Sequence, residues 1–268
     1  MTTTPPANDG TRLDGKTAVV TGASSGIGRA IARELALAGS DVVVHARTSR
    51  TQLDQVADEI RAMGRRVHLV MGDLSQEAML TTVVEQSWNW ARDIQIWINN
   101  AGGDVLTGSA ASWSFEQKLE YLWQVDVRAT IQLSRLVGRR MIQRARDNVD
   151  RCILNMGWDQ VEGGMAGDSG EIFAAVKGAV MAFSRSLARS LAPSVRVNCL
   201  APGWIRTAWG QEAAQLWQQR ARGESLMQRW GTPDDVARVA RFLVSPASGF
   251  VTGQVIPING GFGGPASD

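Results

Sequence analysis

Thr21-Gly22-Ala23-Ser24-Ser25-Gly26-Ile27-Gly28 decides the fold. It follows a β-branched run, Ala18-Val19-Val20. It precedes a helical pattern with Ile27, Ile31, Leu35 and Ala38 on one stripe, stopped at Gly39. A strand, a glycine turn and an amphipathic helix in that order begin a parallel β-α-β unit. Gly22 permits a tight turn off the strand. Gly26 and Gly28 have no side chains, so backbone can approach a pyrophosphate and the helix can pack close to the sheet. The helix N-terminus then offers free N–H groups and the positive end of its dipole to phosphate. Glycine-rich turns also serve plain packing, and the placement between strand and helix favours the phosphate reading.

Outward from this unit, short β-rich runs alternate with longer helical patterns. Val42-Val43-Val44, Val67 to Met71, Ile94 to Ile98, Ile153-Leu154-Asn155, Val195 to Leu200 and Val255 to Ile258 read as further strands. Helices are predicted over 51–63, about 114–145 and 171–191, with another opened by Asp73-Leu74-Ser75 and capped by Ser75. The alternation predicts a single α/β domain, a doubly wound parallel sheet of about seven strands. Pro257 suits an edge strand. Residues 1–12 read as a loose tail before a domain over 13–268. The region 205–230, with Trp209, Trp217 and Trp230, reads as a lid over the site.

The chain has 268 residues, 44% hydrophobic and 20% charged, as in an ordinary globular protein. A net charge of +2, with no block of like charges, argues against nucleic acid or an anionic membrane as partner. No apolar run is long enough to span a bilayer, and Thr2-Thr3-Thr4-Pro5-Pro6 is unlike a signal peptide, so a cytoplasmic location is expected. Cys152 and Cys199 sit in apolar strand-like segments and read as buried free thiols. His45 and His68 have no neighbours at metal-ligand spacing, and no metal site is expected.

The end of the second strand selects the nucleotide. A carboxylate there would bind the ribose hydroxyls of NAD and repel a 2′-phosphate. His45-Ala46-Arg47 carries a cation instead, which favours NADP(H) over NAD(H), unless Arg47 is simply a solvated arginine in an arginine-rich chain.

These residues, with several motifs in order from about Lys16 to Gly261, resemble the short-chain dehydrogenase/reductase family. Thr21 to Gly28 is similar to its cofactor loop, with Gly22, Ser24, Ser25, Gly26, Ile27 and Gly28 as expected contacts. Asp73-Leu74 resembles the pair lining the adenine pocket, and Asn99-Asn100-Ala101-Gly102 the family's turn after the fourth strand. Pro202-Gly203-Trp204-Ile205-Arg206-Thr207 resembles the segment that holds the nicotinamide carboxamide. The resemblance implies a Rossmann-type sheet, a nicotinamide cofactor, a small-molecule substrate and commonly a homotetramer, with the helices near 114–145 and 171–191 as interfaces.

The same resemblance exposes departures. The family works with asparagine, serine, tyrosine and lysine. The matching positions here are Asp126, Trp158, Phe173 and Lys177, so only the lysine is kept. Phenylalanine has no proton to give. Lys177 can still hold ribose hydroxyls. Tyr121 lies five residues before Asp126, roughly 140° around an α-helix, and so away from the pocket if Asp126 faces it. Asp104, Asp159 and Glu171 are the candidate replacement acids, and Ser169 lies outside the expected strand end. Three readings follow: an atypical NADP(H) oxidoreductase of a carbonyl or alcohol; a non-catalytic NADP(H)-binding or sensor protein; and a non-redox dehydratase or isomerase using Asp126, Asp104 or Asp159.

Overall fold

The computed structural model describes residues 10–144, 149–208, 210 and 213–261. Seven strands are present among them: β1 (Thr17–Val20), β2 (Asp41–Ala46), β3 (Val67–Met71), β4 (Ile96–Asn99), β5 (Cys152–Met156), β6 (Arg196–Pro202) and β7 (Val255–Ile258). All pair in parallel in the order β3-β2-β1-β4-β5-β6-β7. Pro257 stands on the edge strand, where its missing N–H costs no ladder bond.

Strand side chains alternate between two helical layers. Ala18, Val20, Val42, Val44, Ile96 and Ile98 face α1 (Gly26–Leu37), α2 (Arg50–Ala62) and a C-terminal helix, Pro233–Val244. Val19, Val43, Trp97 and Ile153 face α3 (Glu77–Trp90), α5 (Ala129–Gln143) and α6 (Asp168–Leu191). Two further helices are α4 (Phe115–Leu122) and α7 (Gln215–Gly223), and the C-terminal helix is α8. Strands buried on both faces read as continuous Val/Ile runs, which is why they were visible in the sequence.

Three expectations change. The long helix is helical over 115–143, but Trp123–Arg128 is a π-helical turn between α4 and α5. Ser75 is not a cap: α3 begins after Gln76, and the Ser75 N–H instead donates to Asp73 Oδ1 at 2.9 Å, closing an Asx turn. Within the expected tail, Gly10 O accepts from Ala247 N at 3.1 Å, and Arg241 Nη2 donates to Thr11 Oγ1 at 2.8 Å, so this stretch is tied to the C-terminal layer. Residues 1–9 of that tail, and Trp209 of the lid, lie outside the described residues.

Candidate active site

The strand order reverses between β1 and β4, and their carboxyl ends carry the glycine loop and the Asn100 turn. Thr21 ties the two together. Its Oγ1 accepts from the N–H groups of Asn100 and Ala101, each at 3.0 Å, and donates to Ile98 O at 3.3 Å. Asn100 Nδ2 donates to Thr21 O at 3.0 Å and Gly22 O at 3.1 Å. Gly22 has φ +64°, and a Cβ there would stand 2.8 Å from Ala101 Cα; at Gly28 it would collide with Gly22 O and Asn100 Nδ2. Glycine is therefore a packing requirement at both positions. The first turn of α1 contains no carboxylate, and Ser25 places no side-chain bond over it. Its amides face outward, as an anion cradle needs. These residues fit a dinucleotide.

His45 braces the loop from below, a role its sequence context did not signal. It is buried in β2, its Nε2 lies 3.0 Å from Gly72 O, and Gly22 N donates to its Nδ1 at 3.4 Å. Burial lowers its pKa to about 4, so the ring is neutral, with the proton on Nε2 and the lone pair on Nδ1. Arg47 leaves the end of β2 exposed and donates through Nη1 to the Tyr121 hydroxyl. Tyr121 packs edge-on against Trp113, centroids 5.4 Å apart. Asp73 and Leu74 follow β3. Ala101 and Gly102 extend the Asn100 turn. Beneath it, Asn99 Nδ2 donates to Ser134 Oγ and Asn155 Oδ1, both at 2.8 Å, and Asn155 Nδ2 donates to Ser184 Oγ at 2.9 Å, a buried polar ladder under the site.

Lys177 and Asp126 meet. Nζ lies 2.6 Å from Oδ2, with the two side chains 15% and 1% exposed. Asp126 Oδ1 accepts from Gly103 N at 2.7 Å. The π-helical turn brings Asp126 and Tyr121 to the same Gly102-Gly103 turn: a Cβ on Gly102 would touch Asp126 Oδ2 at 3.1 Å, and one on Gly103 would touch Tyr121 at 2.7 Å. The Tyr121 hydroxyl nevertheless accepts from Arg47. Trp158 and Phe173 also meet, with ring centroids 6.2 Å apart and planes tilted by 59°.

The candidate acids separate cleanly. Asp104 is exposed, and its oxygens cap their own turn, accepting from Leu106 N at 2.8 Å and Thr107 N at 3.1 Å. Glu171 is exposed on α6 beside Ser169, which lies in that helix's first turn. Asp126 is committed to Lys177. Asp159 differs. The extended backbone at Trp158 sends successive side chains to opposite sides, Trp158 to Phe173 and Asp159 to Gly203 and Asn259. Asn259 Nδ2 donates to Asp159 Oδ2 at 3.1 Å, while the buried Oδ1 has no hydrogen-bond partner. Burial pushes this carboxyl up to about 6.

Pro202 ends β6, Gly203 N bonds Ile258 O at 3.0 Å, and the Thr207 methyl lies 3.5 Å from a Cβ built on Gly26, so this segment touches the glycine loop. Ile205 bridges Gly231 and closes the base of the 206–230 excursion. At its base, Trp204 packs on Trp217 (5.6 Å) and Trp230 (6.0 Å), and donates Nε1–H to the buried Glu224 at 2.7 Å. Arg220 caps the cluster, with Nε 2.6 Å from Glu224 Oε1. Glu224 was not singled out in the sequence, and Trp204 and Asn259 entered only as members of family-like segments, with no role of their own. Cys152 and Cys199 are buried, and burial pushes both thiols up to about 12. Among the described residues, no helix is long and apolar enough to cross a membrane, and no metal-ligating cluster occurs.

Residues 22–263 match the family model described as enoyl-(acyl carrier protein) reductase. An uncharacterized oxidoreductase of Mycobacterium tuberculosis is 33% identical, covering 96% of this chain and 95% of its own. Among solved structures, a 3-oxoacyl-(acyl-carrier-protein) reductase from Agrobacterium tumefaciens with NADP bound is 28% identical with a TM-score of 0.83, covering 94% of this chain and 96% of its own. A 7α-hydroxysteroid dehydrogenase complexed with NADH and a 7-oxo bile acid is 29% identical with a TM-score of 0.85, covering 97% and 98%.

Proposed function

Because the chain belongs to the short-chain dehydrogenase/reductase family, we propose that it is an NADP(H)-dependent oxidoreductase of a small carbonyl or alcohol compound, with a centre lacking the usual serine and tyrosine hydroxyls. The observation that carries this reading is the open first turn of α1 above the Gly22–Asn100 lock, at the point where the strand order reverses. Ligands of open α/β sheets bind at that point, outside the carboxyl ends of the strands. The solved relatives with NADP or NADH support a nicotinamide cofactor, and Arg47 favours the phosphorylated form.

When bound, the nicotinamide supplies or takes the hydride. The amides around Ser24, Ser25, Gly26, Ile27 and Gly28 receive the pyrophosphate, and Asp73 and Leu74 flank the adenine. Asn100, Ala101 and Gly102 wall the site, and Pro202, Gly203, Ile205 and Thr207 hold the carboxamide end. Lys177, anchored by Asp126, keeps two further N–H groups for ribose hydroxyls. Trp158 and Phe173 form an apolar wall that excludes water. Asp159, which approaches from the Gly203 and Asn259 side opposite the ring wall, is the candidate proton donor: it would give its proton to the carbonyl oxygen and regain one from water, and oxidation would run the reverse. The functional unit is a homo-oligomer, a tetramer by family likeness, measurable by light scattering.

A carbonyl and alcohol screen read at the nicotinamide absorbance tests the assignment. Turnover that Asp159→Asn removes supports it. The paired rings at the two hydroxyl positions favour the second reading, a non-catalytic NADP(H)-binding or sensor protein. That reading predicts cofactor binding with no turnover across the screen.

A further inference from the structure

A second cleft opens at the base of the lid, with a volume of about 550 Å³. None of the residues proposed to hold cofactor or substrate lines it. Its walls carry Arg206 just after the Ile205 bridge, Arg222 at the end of α7, Arg229 before the Gly231 bridge, and Arg238 on α8. Four guanidinium groups face a single lining carboxylate, Asp235. That carboxylate is already divided, at 2.8 Å from Arg229, 2.9 Å from Arg238 and 2.8 Å from Thr232 N. The neighbouring Glu224 is consumed by Arg220 and Trp204. Arg206 and Arg222 have no carboxylate partner among the described residues.

A second observation marks the same cleft. Gln228 lines it with φ +54°, the sole positive φ outside glycine among the described residues. Backbone held in this region is strained and concentrates at binding and switching sites. The segment is held there by bonds on both sides: Gln228 N to Ser225 O at 2.8 Å, and Met227 N to Gly260 O at 3.1 Å.

We propose that this cleft binds a small polyanion, a molecule carrying at least two negative charges on phosphoryl or carboxylate oxygens. The planar forks of arginine match such oxygens in pairs, and the volume suits a small molecule. Three of the arginines belong to the lid and its base and one to α8, so the occupant ties the lid to the scaffold.

The test is calorimetric titration at low salt with inorganic pyrophosphate and, separately, with citrate. The proteins are the wild type and R222Q/R238Q, which changes two exposed residues outside the cofactor site. The proposal expects binding to the wild type that is at least tenfold weaker in the double variant, with NADPH titrations alike in both. Pyrophosphate alone would assign phosphoryl ligands, and citrate alone polycarboxylates. No binding of either probe at millimolar concentration, or equal binding by both proteins, overturns the proposal; equal binding would place the anion elsewhere, the glycine loop included. Should the double variant misfold, R222E carries the same comparison. An NADPH titration without heat in either protein would count against the proposed function and leave this result standing.

Discussion

Replacing Lys177 by methionine removes the cation from a carboxylate that is 1% exposed. Asp126 then keeps one protein donor, the Gly103 N–H at 2.7 Å. Breaking one side of a buried ion pair costs about 3–5 kcal/mol, chiefly because the remaining charge is left without compensation. For a domain of this size that corresponds to a melting temperature lower by about 6–20 °C. Asp126→Asn in the same chain removes the orphaned charge and keeps an oxygen for Gly103, so the double variant recovers most of the loss. Differential scanning calorimetry of the wild type, both single variants and the double variant reads the coupling directly. Lys177→Met melting within about 2 °C of the wild type, less than 1 kcal/mol on this scale, would refute the reasoning. So would a double variant no more stable than Lys177→Met. The same four proteins report on the cofactor: NADPH affinity should follow Lys177 and be largely indifferent to Asp126→Asn.

Asp159 and His45 predict opposite pH effects. Asp159 is raised from an ordinary 3.8 to about 6 in the fold, so its contribution to stability is full below 3.8 and lost as pH rises through 6. The swing is at most about 3 kcal/mol, and Asp159→Asn should abolish it in urea titrations across that range. In the carbonyl-reducing direction, turnover should fall above pH 6, and a pH–rate profile unchanged in Asp159→Asn would exclude Asp159 as the acid. His45 is lowered from 6.5 to about 4, so its contribution is present above 6.5 and lost as pH falls toward 4. Because the two slopes oppose one another in the wild type, each is read as a difference from its variant, and His45→Gln should flatten the acid side; a slope there equal to the wild type's would contradict the neutral-ring assignment. Arg47→Ala should weaken NADP+ binding by about 10–100-fold and leave NAD+ almost unchanged, on the usual worth of a charge-assisted hydrogen bond. Equal losses for both nucleotides in calorimetry would remove the role given to Arg47.

The central strands were legible because they are buried on both faces; the half-exposed edge strands Val67–Met71 and Val255–Ile258 agree residue for residue, and elsewhere the strand ends move by a residue or two. Thr17 and Asp41 join their strands by pairing with each other, which local composition does not encode. The Ser75 cap failed because α3 starts only at Glu77, after Gln76, and the Ser75 N–H closes an Asx turn on Asp73 instead. An α-helical period placed Tyr121 and Asp126 on different sides; a π-helical turn sets both against one glycine turn. The glycine loop was readable because strand, turn and helix follow one another in the chain, although the contacts that demand glycine at 22 and 28 come partly from the distant Asn100 and Ala101. The acid was not: Asp104 and Asp159 both follow strand ends, and only Gly203 and Asn259, distant in the chain, bury one and leave the other in solvent. The lid cluster is hidden for the same reason, since Trp204, Trp217, Glu224 and Trp230 meet only in three dimensions.

Calorimetric titration of the purified wild type with NADPH, set beside Gly28→Ala, tests the account most directly. A Cβ at Gly28 strikes Gly22 O and Asn100 Nδ2, which distorts the cradle itself. Saturable binding at one site per chain is expected, abolished or weakened by orders of magnitude in Gly28→Ala. No heat at millimolar nucleotide, or full affinity in Gly28→Ala, would contradict it.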